Sequence, residues 1–120
     1  MFIMLGYDGE TPRDVDATLE MLRGATPDRF FSTVAYPIRG TPYFARVADR
    51  LRTTLPWNRR TDRDWHVGGR RGGLYFRAAR RYLESGVAAA RLRATGRLSF
   101  RGLAHAALSR IARWTMSAAA

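Results

Sequence analysis

Few side chains in this chain could do chemistry by themselves. There is no cysteine among the 120 residues, so the chain supplies neither a disulfide nor a thiolate ligand for zinc or an iron–sulfur cluster. The two histidines, His66 and His105, are far apart and have no carboxylate cluster at metal-ligand spacing. We expect both to be surface or packing residues rather than ligands or bases.

Two aspartates, Asp62 and Asp64, lie two positions apart in an arginine-rich stretch. Paired carboxylates can act as general acid and base, but arginines this close favour ordinary ion pairs. We expect the partners to be Arg59, Arg60 or Arg63. The sequence also lacks the glycine-rich phosphate loop and the serine elbow of hydrolases.

The elements that must position any site begin with an apolar run, Met1–Leu5, which predicts a strand buried on both faces, as in a parallel sheet. The segment 6–9 reads as a turn. A helix should follow, with Thr11 as its cap and Pro12 at its first position, and should end at Gly24. Its apolar positions have helical spacing and are Val15, Leu19 and Leu22.

A second strand is predicted over the aromatic and β-branched segment 30–36, closed by Pro37. Strand, helix and strand in this order favour parallel neighbours in an α/β sheet. Thr41 and Pro42 then repeat the cap-and-proline pattern, which predicts a second helix to about Arg52. Its inward positions are Phe44, Val47, Ala48 and Leu51.

Periodicity fails from position 53 to 73, and glycines at the end of this segment indicate a loop. Two amphipathic helices should follow, separated near Gly96, with Ser99 as the candidate cap of the second. Their apolar positions are Tyr75, Ala79, Tyr82, Gly86 and Ala90, and then Leu103, Ala107, Ile111 and Trp114. We divide the chain into 1–55, a glycine- and arginine-rich linker at 56–73, and a helical extension at 74–120.

The charge of the chain is regional. All 21 basic residues are arginine, and the formal net charge is +11. Residues 1–55 are neutral, whereas residues 56–120 hold fourteen arginines and three acids, so the whole net charge lies there. A charge of this kind licenses non-specific binding to anionic partners.

The first half is expected to be incomplete. Two parallel strands with two helices cannot cover both faces of a sheet, and both strands would be edges. The first methionine also lies inside the first strand. We therefore expect a fragment of a larger protein or a misplaced start.

Two motifs at the expected distance resemble a known family. The segment 2–11, FIMLGYDGET, followed by 36–43, YPIRGTPY, is similar to the late part of a radical S-adenosylmethionine (SAM) barrel, and most similar to the subgroup with an upstream cobalamin-binding domain. The similarity covers about the first 50 residues, and the tail resembles the family's C-terminal extension only loosely. It implies an α/β fold: the C-terminal βαβα portion of a radical SAM-type partial TIM barrel, followed by an α-helical basic extension.

The resemblance implies contacts with the adenosine side of SAM from Met4, Gly6 and Gly9. Ligands of such barrels lie at the carboxyl ends of strands, where a glycine lets the backbone approach a flat adenine closely. Glu10 would brace the turn rather than touch substrate. Three positions depart from the family pattern: Met4, Asp8 and Arg39.

The family's chemistry needs a 4Fe–4S cluster on three cysteines of a CxxxCxxC loop, which this chain lacks. The resemblance therefore implies that SAM, the cluster and possibly cobalamin belong to the intact enzyme. The expected partner is the remainder of that enzyme, with its upstream barrel and cobalamin domain. The chain alone is expected to bind none of these cofactors and to be inactive.

A second hypothesis is a small stand-alone basic module that binds RNA or an anionic surface. Arginines share helical segments with aromatic residues, a pattern that can track phosphates and stack on bases. These residues are Arg77, Arg80, Arg81, Arg91 and Arg93, with Tyr75, Phe76 and Tyr82. The last helix could also lie in a lipid interface with Trp114 and Leu108 toward the acyl chains and Arg110 and Arg113 outward. No segment is long enough to span a bilayer and no export signal is evident, so we expect a cytoplasmic protein.

Overall fold

The computed structural model describes residues 1–56, 58–59, 61–96 and 100–120 and is a mixed α/β structure. Its main elements are β1 (Phe2–Leu5), α1 (Pro12–Ala25), β2 (Phe31–Val34), α2 (Pro42–Val47), β3 (Leu51–Arg52), β4 (His66–Val67), α3 (Gly73–Ala94) and α4 (Phe100–Ala118). The overall shape is elongated, 53 × 28 × 24 Å, because α3 and α4 form a long helical pair.

The first two helix starts are confirmed. The backbone N–H of Thr11 donates to Asp14 Oδ2 at 2.7 Å, and the Thr11 hydroxyl donates to the same oxygen at 2.7 Å. At the start of α2, the hydroxyl oxygen of Thr41 accepts from the N–H of Phe44 at 3.2 Å. These contacts satisfy backbone donors that the first turn of a helix leaves unpaired.

The first two strands pair in parallel, as predicted for strands joined by a crossover helix. Phe2 lies opposite Phe31, and Leu5 opposite Val34. The N–H of Phe31 donates to Met1 O at 2.9 Å, and the N–H of Ala35 donates to Leu5 O at 2.7 Å. Every second residue of a parallel ladder faces its partner strand, so Phe2 and Met4 direct their backbone groups to the outer edge of β1.

The two edges of this sheet differ. At the outer edge of β2, Arg80 of α3 donates from Nη2 to the carbonyl of Ser32 at 3.0 Å. Among the described residues, no strand other than β2 pairs with β1. Arg80 therefore caps one carbonyl at the outer edge of β2, where a cleft of about 640 Å³ lies between the strand and α3, whereas the edge of β1 is open.

The expectation that the first strand is buried on both faces is wrong. Ile3 and Leu5 are buried, but Phe2 and Met4 on the opposite face are exposed. Phe31 is exposed on the same open face, with its ring centroid 5.7 Å from that of Phe2. The reason is that α1 and α3 cover only one face of the sheet.

The second helix is shorter than predicted. It ends at Val47, and a 3₁₀ turn, Ala48–Arg50, leads into β3, which pairs antiparallel with β4. Leu51 and Arg52 are thus in a strand rather than a helix, and they pair with His66 and Val67, which lie in the segment 56–73 that was expected to be a linker. Helical spacing alone could not reveal this long-range pairing.

One hydrophobic cluster joins both halves of the chain. Its fully or nearly buried members come from β1, α1, α3 and α4 and are Ile3, Leu5, Val15, Leu19, Leu22, Tyr75, Ala78, Ala79, Leu83, Val87 and Met116. Arg113 of α4 also reaches Asp16 of α1 through two hydrogen bonds, each 2.6 Å. The helical extension is therefore integral to the core of the first half.

The two C-terminal helices are confirmed, but α4 does not pack through the apolar stripe that the sequence indicates. Ser109, Ala112 and Met116 are its buried residues. Ile111 and Trp114 are exposed. The predicted cap, residue 99, lies outside the described residues. In the described part of the chain, no helix combines the length and apolarity needed to cross a bilayer.

The close approach of α1, α3 and α4 is predicted to depend on Gly86. A Cβ there would lie 2.8 Å from both δ-methyl carbons of Leu19 and 3.3 Å from Ser109 Oγ. We expect Gly86→Val to lower the free energy of unfolding by about 2 kcal/mol, because overpacking forces the core apart. Gly24→Val is the matched control, since nothing lies within 4 Å of its Cβ position. Denaturant unfolding measures both, and equal effects would contradict this packing.

Candidate functional site

A cleft of about 590 Å³ opens at the carboxyl end of β1. It is lined by the turn after β1, by α2, by the glycine-rich segment before α3 and by the chain end: Gly6, Tyr7, Asp8, Gly9, Glu10, Thr11, Tyr43, Val67, Gly69, Arg70, Arg71, Gly72, Tyr75, Phe76, Ala119 and Ala120. Segments distant in sequence thus meet where ligands of parallel α/β sheets lie.

The turn at the floor of the cleft depends on two glycines and one carboxylate. Gly6 has φ +82° and Gly9 has φ +86°, a region that disfavours residues with a side chain. Glu10 Oε2 accepts the N–H of Gly6 at 2.9 Å, and the N–H of Glu10 donates to Tyr7 O at 3.0 Å. Glu10 therefore holds the turn closed, the bracing role expected of it.

The space that Gly6 leaves open is filled by residues of this chain. A Cβ at Gly6 would lie 2.5 Å from Phe76 Cε1 and 2.7 Å from Arg70 Nη2. Nothing lies within 4 Å of the Cβ position of Gly9. Gly6 is thus a packing glycine under the Phe76 ring, whereas Gly9 lines the cleft with open space around its Cβ position.

Two consecutive arginines form one wall. The Arg70 guanidinium lies 5.1 Å from the centre of the Phe76 ring, and Arg71 lies 4.8 Å from that of Tyr75. Arg70 also donates from Nη2 to the carbonyl of Leu5 at 3.4 Å. Stacking on aromatic rings fixes the position of a guanidinium and leaves its remaining N–H groups for a ligand.

Four buried polar atoms of the cleft have no hydrogen-bond partner within the described structure. They are Glu10 Oε1, Tyr43 OH, Arg70 Nε and Tyr75 OH. Leaving such an atom unpaired costs about 1–3 kcal/mol, and the four lie around one cavity. Three of them can donate and one is a carboxylate oxygen, so they fit a polar ligand that offers acceptors together with a hydroxyl or amine donor.

Burial sets the electrostatics of this group. Desolvation raises the pKa of Glu10, an effect that outweighs the lowering by the Gly6 N–H and by the nearby arginines. Desolvation also lowers the pKa of Arg70, against the opposing influence of Tyr43 and Glu10. The cleft is therefore a partly desolvated site in which charged hydrogen bonds to a ligand are stronger than in water.

The structure brings two of the three candidate cofactor residues into the cleft. Gly6 and Gly9 line it, whereas Met4 does not. Met4 lies on the open face of the sheet, where its sulfur accepts a 3.8 Å hydrogen bond from the hydroxyl of Tyr7, a cleft residue. Met4 is thus a neighbour of the cleft rather than a part of its wall.

The other chemistry-bearing residues lie elsewhere. Asp64 Oδ2 accepts from the Thr61 N–H at 2.6 Å and from the Thr61 hydroxyl at 2.9 Å, which caps a 3₁₀ turn. Arg63, an expected ion-pair partner, stacks 5.5 Å from the centre of the Tyr36 ring; residue 60 lies outside the described residues. Within those residues, no group of three or more His, Cys, Asp or Glu could hold a metal ion.

Sequence reasoning missed most of the cleft. Tyr43, Arg70 and Arg71 were not singled out, and Tyr75 was noted only as a helix residue. The one local signal was the arginine pair between two glycine pairs, GGRRGG at 68–73. That pattern predicts a loop, but nothing in it shows that the loop returns to the end of β1.

Comparison of the chain with protein-family models, with curated proteins and with solved structures finds no match.

Glu10 gives the cleft a measurable pH dependence. Because its pKa is raised by folding, the folded protein holds the proton more tightly than the unfolded chain, and stability is lost as pH rises from the ordinary value of 4.5 through the raised one. Glu10→Gln can still accept from Gly6 and avoids this loss. Over that pH window we expect the free energy of unfolding of the Glu10→Gln variant to rise relative to that of the wild type. At lower pH the two free energies should be equal.

Asp14→Asn is the control of opposite sign. Hydrogen bonds from Thr11 lower the pKa of Asp14, so its stabilisation is present above the ordinary carboxyl pKa and is lost as pH falls. The free energy of unfolding of the Asp14→Asn variant should therefore become lower than that of the wild type as pH rises. Chemical denaturation at a series of pH values measures both, and a pH-independent difference for Glu10→Gln would contradict the assignment.

Proposed function

We propose that this chain is the C-terminal part of a radical SAM-type enzyme of the cobalamin-binding subgroup, and that its cleft holds the adenosine portion of SAM. The chain then supplies the last strands of a partial barrel and a basic helical extension. Radical chemistry would take place only when the remainder of the enzyme is present.

The asymmetry of the β1–β2 sheet carries this proposal. Arg80 of α3 caps the carbonyl of Ser32 at the edge of β2, while β1 exposes its edge and an apolar face with Phe2, Met4 and Phe31. An open edge next to an exposed apolar face is a ready site for another strand. A strand that pairs with β1 extends the sheet on the side away from α3, as expected when earlier strands of a barrel precede β1.

The cleft suits a nucleoside in three respects. Its position at the carboxyl end of β1 is where barrel ligands lie. Glu10 braces the turn through Oε2 but, unlike the sequence expectation, is also given a ligand contact, because its Oε1 is a free acceptor for a sugar hydroxyl. Tyr43 OH and Arg70 Nε are donors for ring nitrogens or carboxylate oxygens. Gly9 leaves the backbone approachable from the open side. The role of these residues is to bind and orient, since none is a nucleophile paired with a base.

The residues present do not fit an iron–sulfur cluster. The chain contains no cysteine, so it offers no thiolate to iron. In the proposed enzyme the cluster is held by the upstream part, and nothing in this chain assigns a contact to cobalamin.

The basic surface of α3 favours a second function, non-specific binding of RNA. The side chains of Arg77, Arg80 and Arg91 are exposed. Tyr75, however, is completely buried, so it packs in the core rather than stacking on bases. The surface therefore offers arginines to phosphates but does not offer the Tyr75 ring to bases. The nucleoside cleft is the better supported proposal.

The sequence predicts no cofactor binding by this chain alone, but the cleft is formed entirely within it. Binding of S-adenosylhomocysteine, a stable analogue of SAM, by the chain therefore tests the cleft. We expect the amide NMR signals of Gly6, Gly9 and Glu10 to shift on titration. Gly9→Ala should weaken binding at least about tenfold, because it adds a methyl group at a position that lines the cleft. Gly40→Ala is the matched control: both glycines have positive φ, +86° and +81°, and neither Cβ position has a neighbour within 4 Å. Equal affinities of the two variants would contradict the site.

The coding sequence upstream of Met1 tests the family assignment independently. We expect an open reading frame that continues in frame from this chain to a CxxxCxxC motif. An in-frame stop codon immediately upstream, together with a promoter at Met1, would contradict the proposal.

A further inference from the structure

Helix α4 exposes a continuous apolar stripe. Its large members are Phe100, Leu103, Ile111 and Trp114, whose exposed fractions are 87%, 62%, 60% and 73%. Leu108 is also exposed, and Ala104 and Ala107 fill the positions between. At about 100° per residue, these positions fall within an arc of about 140° on one side of the helix. The face that packs on α3, with Ser109, Ala112 and Met116, lies opposite.

Arginines flank the stripe on both sides. Arg101 lies along one border and Arg110 along the other, and both are exposed. Arg113 does not belong to this border, contrary to the sequence expectation, because its guanidinium is held by Asp16. From Ser85 to Ala120 the sequence contains six arginines and no Asp or Glu. No acidic side chain of this segment can therefore neutralise the border.

We propose that α4 lies in the plane of an anionic lipid surface, with the stripe among the acyl chains and Arg101 and Arg110 at the headgroups. An apolar face bordered by arginines, with aromatic residues near both ends, is the pattern of an interfacial helix. The helix lies on the membrane rather than across it, since no described helix is long and apolar enough to span it. This surface is separate from the cleft and does not depend on the function proposed for it.

Charge decides between lipid and the other partners. In a dimer through this stripe, the arginine borders of the two copies would face each other, and like charges across an interface oppose association. RNA would satisfy the arginines but would leave Ile111 and Trp114 in water. Anionic lipid satisfies both, because acyl chains take up the apolar residues and phosphates pair with the guanidinium groups.

Vesicle co-sedimentation of the full chain tests the proposal. We expect binding to vesicles of phosphatidylglycerol and phosphatidylcholine, and at least about tenfold weaker binding to phosphatidylcholine alone. Leu103→Asp should weaken binding to the anionic vesicles at least about tenfold, because it places a carboxylate in the stripe. Leu74→Asp is the matched control, since Leu74 is also an exposed leucine, 52%, but lies on α3 away from the stripe.

A second variant guards against a folding artefact. Arg101→Gln with Arg110→Gln keeps the stripe apolar and should reduce binding to anionic vesicles while leaving the circular dichroism spectrum unchanged. Equal binding of Leu103→Asp and Leu74→Asp would overturn the proposal. A stable dimer that forms without lipid and that the Leu103→Asp substitution dissociates would also overturn it. So would RNA binding by the chain combined with no binding to anionic vesicles.

Discussion

Two parallel strands cannot satisfy their own backbone. Each strand of such a pair directs half of its N–H and C=O groups away from its partner, and a sheet covered on one face leaves the other to water. In this chain a side chain of α3 satisfies one of the outward backbone groups of β2, since Arg80 donates to Ser32 O at 3.0 Å. The edge of β1 and the face with Phe2 and Phe31 remain open. Both the location of the cleft and the proposal of a larger barrel follow from this asymmetry.

The same helix organises the cleft. Tyr75 and Phe76 in the first turn of α3 carry the rings on which Arg71 and Arg70 stack. Phe76 also presses against Gly6, so the helix reaches the turn after β1 directly. A change in the position of α3 would therefore alter the sheet edge and the cleft together. The extension is part of the site, although it is far from the strand in sequence.

Local features of this fold could be predicted from the sequence, and features that depend on distant partners could not. The caps at Thr11 and Thr41 follow from patterns within a few residues, and the parallel pairing of the first two strands follows from their order around a crossover helix. The end of α2 at Val47 was missed because β3 forms only through pairing with β4. The orientation of α4 was missed because its more apolar stripe is not the face that fits against Gly86. For the site, local sequence indicated Gly6 and Gly9, but Arg70 and Tyr75 become neighbours of Glu10 only in the folded chain.

Hydrogen exchange at β1 tests the central claim, an incomplete sheet, most directly. In the isolated monomer the amides of Ile3 and Leu5 face β2 and should be protected, while those of Phe2 and Met4 should exchange rapidly. When the chain is joined to the upstream part of the proposed enzyme, the amides of Phe2 and Met4 should become protected as well. Slow exchange of these two amides in the isolated monomer, or rapid exchange in the joined protein, would contradict it.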